Sequence, residues 1–338
     1  MKYQRTVLIA ICVVLALTLT GLIGAAVWVD RTLDKVDRVD PTEHTLSQED
    51  ASAMTEEPEQ EEHTGPTVQP EDIAPVVTTP TVSQPQNTVN ILLVGQDRRE
   101  GEGRQRSDAM ILCTFNEATD RFTMTSFLRD TYVYIPGYGH QKLNAAYAYG
   151  GFRLLNETLA VNFGIHIDGN VEVDFSGFTG IIDLLGGVDI ELSQTEVDYM
   201  IANGNFEYSD GTDWDLKPGV NHLTGDQALA YARIRKLDSD FGRTGRQRKV
   251  LLALIGQIRG QKLSTLLELL DQMLPLVTTN MTNGQMIDYA TRFLPMLGGD
   301  IRSRYIPAAG TYTEEYVSGV GACLIPDLEK NRQILQED

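Results

Sequence analysis

From Thr6 to Val29 the chain carries no charged residue, and its centre, Val7 to Val27, is mostly Leu, Ile, Val and Ala. About 20 such residues are enough for a helix to cross a bilayer. No other feature constrains the chain as strongly, because this stretch must lie in lipid or be removed. Lys2 and Arg5 precede it and Asp30 follows it. Positively charged flanks stay in the cytoplasm. The expectation is a cytoplasmic tail at 1–5, a transmembrane helix at 6–29 and everything beyond on the outer side of the cell membrane. A cleaved export signal is the alternative, with Gly24-Ala25-Ala26 as its small-residue site. The apolar run, however, is longer than the signal core of about 7–15 residues. Both readings export the remainder.

Residues 30–88 hold 14 acids and three bases, with Pro58, Pro66, Pro70, Pro75, Pro80 and Pro85 scattered through them. They show no sustained apolar periodicity, so they cannot bury enough surface to fold alone. A disordered acidic linker is expected there. Residues 89–338 carry a net charge of −10. That balance gives no general basic surface for nucleic acid, and any bound anion must be held by a local cluster. The three cysteines, Cys12, Cys113 and Cys323, form no disulfide scaffold and no metal-binding spacing. Buried thiols at Cys113 and Cys323 are expected, although spacing alone leaves their pairing open.

The length of 89–338 suits one domain. Val89–Val94 reads as a buried strand ending at Gly95, and Ala109–Phe115 and Phe122–Phe127 read as strands around a polar turn. Asn144–Phe163 has helical spacing interrupted at Gly150-Gly151. Val171–Val173 reads as a strand, Ser176–Leu185 as a helix stopped by Gly186-Gly187, and Val188–Leu192 as another strand. Tyr199–Lys217 reads as an exposed loop. Residues 259–338 suggest two amphipathic helices and a closing strand near Arg304–Pro307. The early hairpin within an alternating pattern predicts a three-layer α/β/α domain with a central mixed sheet.

The stretch Leu223–Ile258 is the most informative. Thr224 and Gln227 have capping-box spacing, and the helix they open ends near Arg233 and Arg235. A second helix begins near Arg243, with the apolar stripe Val250, Leu251, Leu254, Ile255, Ile258. Steps of three and four back along that stripe reach Gln247, Arg246 and Arg243. Arg248 and Lys249 fall on the other side, as solvated charges. An inward arginine needs an anion, and a helix N-terminus adds positive potential. A phosphate satisfies both. An internal ion pair with Asp238 or Asp240 satisfies any one arginine equally well, but those two acids cannot neutralise Arg233, Arg235, Arg243 and Arg246 together.

Gly95-Gln96-Asp97 lies where a buried strand ends, the usual ligand position in an open α/β sheet. A glycine-rich loop leads from there to Arg106-Ser107-Asp108. Two aspartates at neighbouring strand ends can share one Mg²⁺. Arg129-Asp130 follows another strand, and Lys142 precedes a helix; a lone lysine of this kind is ordinarily a surface residue. No G-x-S-x-G, H-E-x-x-H or P-loop is present. His140 and His222 read as loop residues.

Taken together, these segments resemble the LytR-CpsA-Psr family of cell-wall glycopolymer transferases. The matching pieces are Asn90–Asp97, Arg106–Asp108, Arg129–Val133, Ile135–Gly137, Lys142–Tyr147, Val173–Phe175, Leu185–Asp189, Leu223–Arg235, Asp240–Arg243 and Arg246-Gln247. The resemblance implies a tunnel for a polyprenyl chain. It implies a pyrophosphate site built from Arg106, Arg129, Lys142, Arg233, Arg235, Arg243 and Gln247, with Asp130 and Asp240 orienting arginines and Mg²⁺ (or Mn²⁺) on Asp97 and Asp108. Arg129, Asp108, Asp130 and Arg243 are the catalytic candidates, with Asp108 or Asp130 as general base. Gln96, Ala109 and Leu128 depart from the family's usual Ser, Thr and Pro. Ala109 lacks a hydroxyl that could join a metal shell.

The implied reaction is phosphoryl transfer of an anionic glycopolymer, teichoic acid or capsule, from a polyprenyl-pyrophosphate carrier at the membrane onto peptidoglycan. The alternatives are a polyprenyl-pyrophosphate phosphatase, a non-catalytic lipid-pyrophosphate binding module and, last, a transcriptional attenuator.

Overall fold

A computed structural model describes residues 28–39, 45–53, 65–73, 87–96, 98, 103–203, 214–235, 237 and 240–337. Nearly all of the expected transmembrane stretch, together with Asp97 and Asp238, lies outside them. Among the described residues no helix is long and apolar enough to cross a membrane.

The architecture follows from strands whose side chains are apolar on both faces. In β4 (Ser107–Asn116), Met110 and Leu112 point to one side of the sheet, and Ile111, Cys113 and Phe115 to the other. Met110 and Leu112 share a cluster with Val94, Phe127, Leu155, Leu159 and Phe163, beneath the helix Leu143–Phe163. Ile111, Cys113 and Phe115 pack with Met124, Ile255 and Phe293, beneath the helices Asp240–Gly260 and Asn283–Phe293. Three layers result, as expected.

Among the described residues the main sheet has seven strands in the order β1 (Asp37–Arg38), β11 (Thr278–Thr279), β8 (Gly169–Asp174), β3 (Thr88–Gln96), β4, β5 (Arg121–Phe127), β12 (Ile301–Ile306). It is mixed: β3–β4–β5 is an antiparallel meander, with Leu92 opposite Leu112 and Cys113 opposite Met124, whereas β8 runs parallel to β3 and β12 parallel to β5. Smaller sheets pair β6 (Tyr132–Ile135) with β7 (Gly139–Lys142) and β9 (Val188–Leu192) with β10 (Gly219–Leu223). A third joins β14 (Gly321–Pro326), β13 (Tyr312–Val317) and β2 (Thr67–Val68). The helix Leu143–Phe163 leaves helical geometry at Gly150 and at Gly151, where φ is 58°. That value is open to glycine at little cost.

Three expectations need correction. First, parts of 30–88 are built into the fold. Residues 28–33 are helical, and Leu33 and Val36 are buried against Leu274. The Asp37 N–H donates to the Val277 carbonyl, β1 extends the main sheet, and Lys35 pairs with Asp271 at 2.5 Å. Ala51, in the helix Gln48–Ala53, is buried in the main core, and β2 extends β13. Composition shows that this segment cannot build its own core; it does not stop single apolar side chains from completing surfaces that the domain already presents. Residues 40–44, 54–64 and 74–86 lie outside the described set.

Second, the expected loop Tyr199–Lys217 begins inside the helix Gln194–Asn203, and Trp214 and Leu216 are buried with Val197 and Met200. The apolar pair was diluted by acidic neighbours in the sequence. Third, the closing strand near Arg304 is β12, but the β13–β14 hairpin and the helix Leu328–Gln336 were not expected.

Candidate functional site

The capping box is formed: the Thr224 side chain accepts from the Gln227 N–H, and Gln227 returns a bond to the Thr224 backbone. It opens the helix Gly225–Ala232. Gly225 seats that helix against Phe175–Leu184, because a Cβ here would meet the backbone of Thr179. The helix ends at Arg233, whose guanidinium lies 4.4 Å above the Phe175 ring. Arg235 follows, and the next helix, Asp240–Gly260, brings Arg243 and Gln247 to the same place.

These side chains close one end of an apolar cavity of about 500 Å³. Its polar wall is Asp108, Asp174, Arg233, Arg235, Arg243 and Gln247; the rest is apolar, from Leu93 and Ile111 on the sheet to Phe178, Leu251, Ile258 and Met273 on the helices. Along the helix Asp240–Gly260 the wall passes Arg243, Gln247, Leu251, Leu254, Ile255 and Ile258. At 1.5 Å per residue this is a passage of about 22 Å from guanidinium to distal end.

Behind the polar end lies an ion-pair network. Asp108 sits at the head of β4, where its carboxylate meets Arg129 at 2.9 Å, Arg235 at 3.1 Å and Arg243 at 3.9 Å. Arg129 reaches Asp130 at 3.4 Å and Asp240 at 3.7 Å; Asp240 pairs with Arg243 at 2.5 Å, and Lys142 pairs with Asp130 at 3.1 Å. Burial raises the Asp108 carboxyl, but Arg129, Arg235 and Arg243 outweigh it and hold the group below its ordinary value. Burial opposes the Arg129 charge, and Asp130, Asp108 and Asp240 more than compensate. Asp240 is pushed up, mainly by burial and against the pull of Arg243 and Arg129. Burial pulls Arg243 down to about 10, against Asp240, so it is still charged at neutral pH.

The network is unfinished on the cavity side. Arg243 is almost fully buried, yet among the described residues its Nε and Nη1 have no hydrogen-bond partner; the same holds for Oε1 of Gln247. Buried donors of this kind are costly to leave unmade. A multi-oxygen anion at the cavity end would accept from the two guanidinium nitrogens, whereas the Gln247 oxygen calls for an N–H or O–H donor.

Of the expected site residues, Arg233, Arg235, Arg243, Gln247 and Asp108 line the cavity, and Arg129, Asp130, Lys142 and Asp240 form the tier behind it. Arg106 is half-buried, just before β4 at the same strand end as Asp108, and is not part of the cavity wall. Asp97 lies outside the described residues, among which no group of three or more His, Cys, Asp or Glu could hold a metal.

The helix-face reading was right for Arg243 and Gln247 and needs correction for their neighbours. Arg246 is buried, but its guanidinium donates to the Ile234 carbonyl at 2.8 Å and faces Glu196 at 3.7 Å. Arg248 is not a solvated charge: it donates to Ser126 Oγ at 2.7 Å, and burial lowers its pKa. Lys249 donates to the Glu191 carbonyl. Helix Asp240–Gly260 is packed on several sides, so polar residues outside the stripe also find buried partners. Sequence reasoning also missed the buried Glu172, which accepts from Gln96 and from the Tyr147 hydroxyl. The only signal was an acid inside a short apolar strand. Cys113 and Cys323 are free, buried thiols, and His140 packs between Tyr132 and Tyr134.

Fold and site define a class: an α/β/α protein with an elongated apolar cavity closed at one end by arginines and aspartates. The chain belongs to the LytR-CpsA-Psr family, whose model matches residues 44–336. It is 35% identical over 252 residues to the polyisoprenyl-teichoic acid–peptidoglycan teichoic acid transferase TagU of Bacillus anthracis, covering 72% of this chain and 75% of TagU. Among solved structures, TagT bound to LI-WTA aligns at 29% identity and a TM-score of 0.60, over 74% of this chain and 90% of TagT. The YwtF (TagT) structure with bound octaprenyl pyrophosphate lipid aligns at 27% and 0.57, over 74% and 90%; TagT and YwtF are Bacillus subtilis proteins.

Proposed function

We propose that this chain is a phosphotransferase that moves an anionic glycopolymer from a polyprenyl-pyrophosphate carrier onto peptidoglycan, anchored by residues 6–29 with its α/β/α domain outside the cell. One observation carries the reading: an apolar passage ends at Arg233, Arg235, Arg243 and Gln247, and the Nε and Nη1 of Arg243 have no hydrogen-bond partner among the described residues. A polyprenyl chain fits the passage and a pyrophosphate fits its end. The name of TagU and the lipid in the YwtF structure describe the same two chemistries in relatives.

In the proposed reaction a peptidoglycan sugar hydroxyl attacks the sugar-side phosphorus. A new P–O bond forms, the bond to the bridging oxygen breaks, and that oxygen takes the electron pair and leaves as polyprenyl phosphate. Arg235, Arg243 and Arg233 face the charge that builds on the leaving phosphate. Arg129 holds Asp108 and Asp240 in place and supplies a further positive charge behind them. Asp108 is a poor base, because three guanidiniums hold it ionised. Asp240 suits the acceptor proton better: burial raises its pKa, and its Oδ2 has no hydrogen-bond partner among the described residues. The ionised Asp108 is a suitable hard ligand for Mg²⁺ or Mn²⁺, which Asp97 and Asp108 would hold with phosphate oxygens and water. The ion would add positive charge at the pyrophosphate.

The test uses the full-length chain in detergent with a lipid-pyrophosphate-linked glycan, peptidoglycan oligomers and Mg²⁺. Expected products are glycan joined to the oligomer and free polyprenyl phosphate, with turnover ~10²–10³-fold lower in Arg243→Ala. Unchanged turnover in Arg129→Ala and Arg243→Ala would refute the site. Inorganic phosphate released with no glycan joined would make the chain a phosphatase instead.

A further inference from the structure

A second hollow, of about 400 Å³, lies beside the arginine network and plays no part in the donor site described above. Its wall is Asp130, Asp240 and Phe241 together with Glu314, Glu315 and Tyr316 on β13, and it continues onto β14 at Ala322 and Leu324. It shares no residue with the apolar cavity. The ion pairs run between the two walls: Arg243, on the cavity, pairs with Asp240, on the hollow, and Arg129 joins Asp108 on the one to Asp130 and Asp240 on the other. The hollow and the cavity therefore adjoin one row of guanidiniums, with no lining residue in common. A phosphorus atom held by that row can be approached from the hollow while its lipid leaving group points down the cavity. In-line displacement needs this opposition of attacking and leaving oxygens.

The chemistry of the wall selects the occupant. Phe241 is braced by Tyr305 at 5.1 Å and Tyr312 at 5.4 Å between ring centroids. It offers a fixed aromatic surface beside hydrogen-bond acceptors, the combination that binds the C–H face and hydroxyl edge of a sugar ring. Its volume falls in the range of about 300–1,000 Å³ usual for small-ligand sites. Asp130 and Asp240 are offset by their arginine and lysine partners, and the two further carboxylates of Glu314 and Glu315 make the wall repulsive to phosphate. The anionic glycopolymer on the donor is therefore excluded, and a neutral or cationic glycan is admitted. Specificity here comes from repelling the wrong chain as well as holding the right one.

We propose that this hollow is the acceptor subsite, which seats an uncharged amino-sugar stretch of the peptidoglycan strand with its attacking hydroxyl against Asp240. The proposal rests on the transferase reading above and adds the place and the charge of the acceptor to it. The hairpin β13–β14, remote in sequence from every arginine of the site, becomes the specificity element.

The experiment measures three quantities on the full-length protein: the Kd for a polyprenyl pyrophosphate, the KM for peptidoglycan oligomers in transfer, and inhibition of transfer by added inorganic polyphosphate. Phe241→Ala is expected to raise the acceptor KM about tenfold and leave the donor Kd unchanged. Glu314→Lys with Glu315→Lys is expected to make transfer sensitive to polyphosphate concentrations that leave the wild type unaffected. An acceptor KM unchanged in both variants overturns the proposal, as does a donor Kd that shifts along with the KM. If the wild type transfers nothing, the parent reading fails; the hollow is then decided by direct calorimetry of the oligomer on wild type and Phe241→Ala. No binding, or equal binding, would overturn it.

Discussion

The apolar passage makes a demand that can be measured apart from catalysis. Leu251 lines it eight residues beyond Arg243, about 12 Å along the helix, leaving a further stretch of about 10 Å to Ile258. Replacing Leu251 with Trp would block the distal part while leaving the guanidiniums untouched. The new ring would point into open space, so the cost of overpacking is avoided. Burying one isoprene unit of five carbons gains up to ~4 kcal/mol at ~0.8 kcal/mol per carbon. A flexible tail that already coils on itself in water forfeits up to ~40% of that. Lengthening a soluble lipid pyrophosphate from ten carbons to twenty should then tighten wild-type binding by ~5 kcal/mol, about a few thousandfold.

Calorimetry with geranyl and geranylgeranyl pyrophosphate, below their aggregation concentrations and without detergent, reads this directly. In Leu251→Trp the chain-length gain should fall to about tenfold or less, with the ten-carbon lipid bound within about threefold of wild type. If wild-type affinity does not climb with chain length, the cavity is not a lipid passage. If the variant weakens both lipids equally, the substitution acts through the anion site or the fold, and the assignment of the distal half is wrong.

Two further outcomes follow from the charges and the edge strand. Asp108 has a folded-state pKa below its ordinary value of 3.8, so it adds stability above that pH and loses it as pH falls through the folded value. Asp108→Asn should therefore melt well below wild type at pH 7, with the gap closing as pH falls below ~4; a gap of constant size down to pH 2 would contradict the network. Leu33, buried at 6% exposure, helps to hold β1 on the sheet. Leu33→Ala should lower the local opening free energy by ~2 kcal/mol, so the amides of Asp37 and Val39 exchange about thirtyfold faster by mass spectrometry; unchanged protection would mean that the clasp does not depend on this contact.

Much of the site was legible because it is local. Capping box, helix stripe and strand ends each place a polar side chain within a few residues of a strong apolar pattern, so Asp108, Arg233, Arg235, Arg243 and Gln247 are legible in the sequence. The stripe had a limit: Arg243, Arg246 and Gln247 share the inward face by spacing, yet Arg246 turns to Glu196 and Ile234 because a third element, the helix Gln194–Asn203, packs there. Periodicity says which side of a helix is covered and is silent about what covers it. The same silence hid the residues that complete the site from a distance. Phe241 follows Asp240 directly, but its braces, Tyr305 and Tyr312, lie more than sixty residues away, on β12's edge and the hairpin. Leu33 and Val36 sit in an acidic segment whose composition forbids a core, and they are ordered by a surface that the segment does not encode. The donor side of the site is thus written in short-range pattern, whereas the proposed acceptor side and the seat of Leu33 and Val36 depend on long-range closure by residues 259–338. Substitutions in that tail should alter acceptor KM and the protection of residues 37–39 before they alter the Kd for a lipid pyrophosphate.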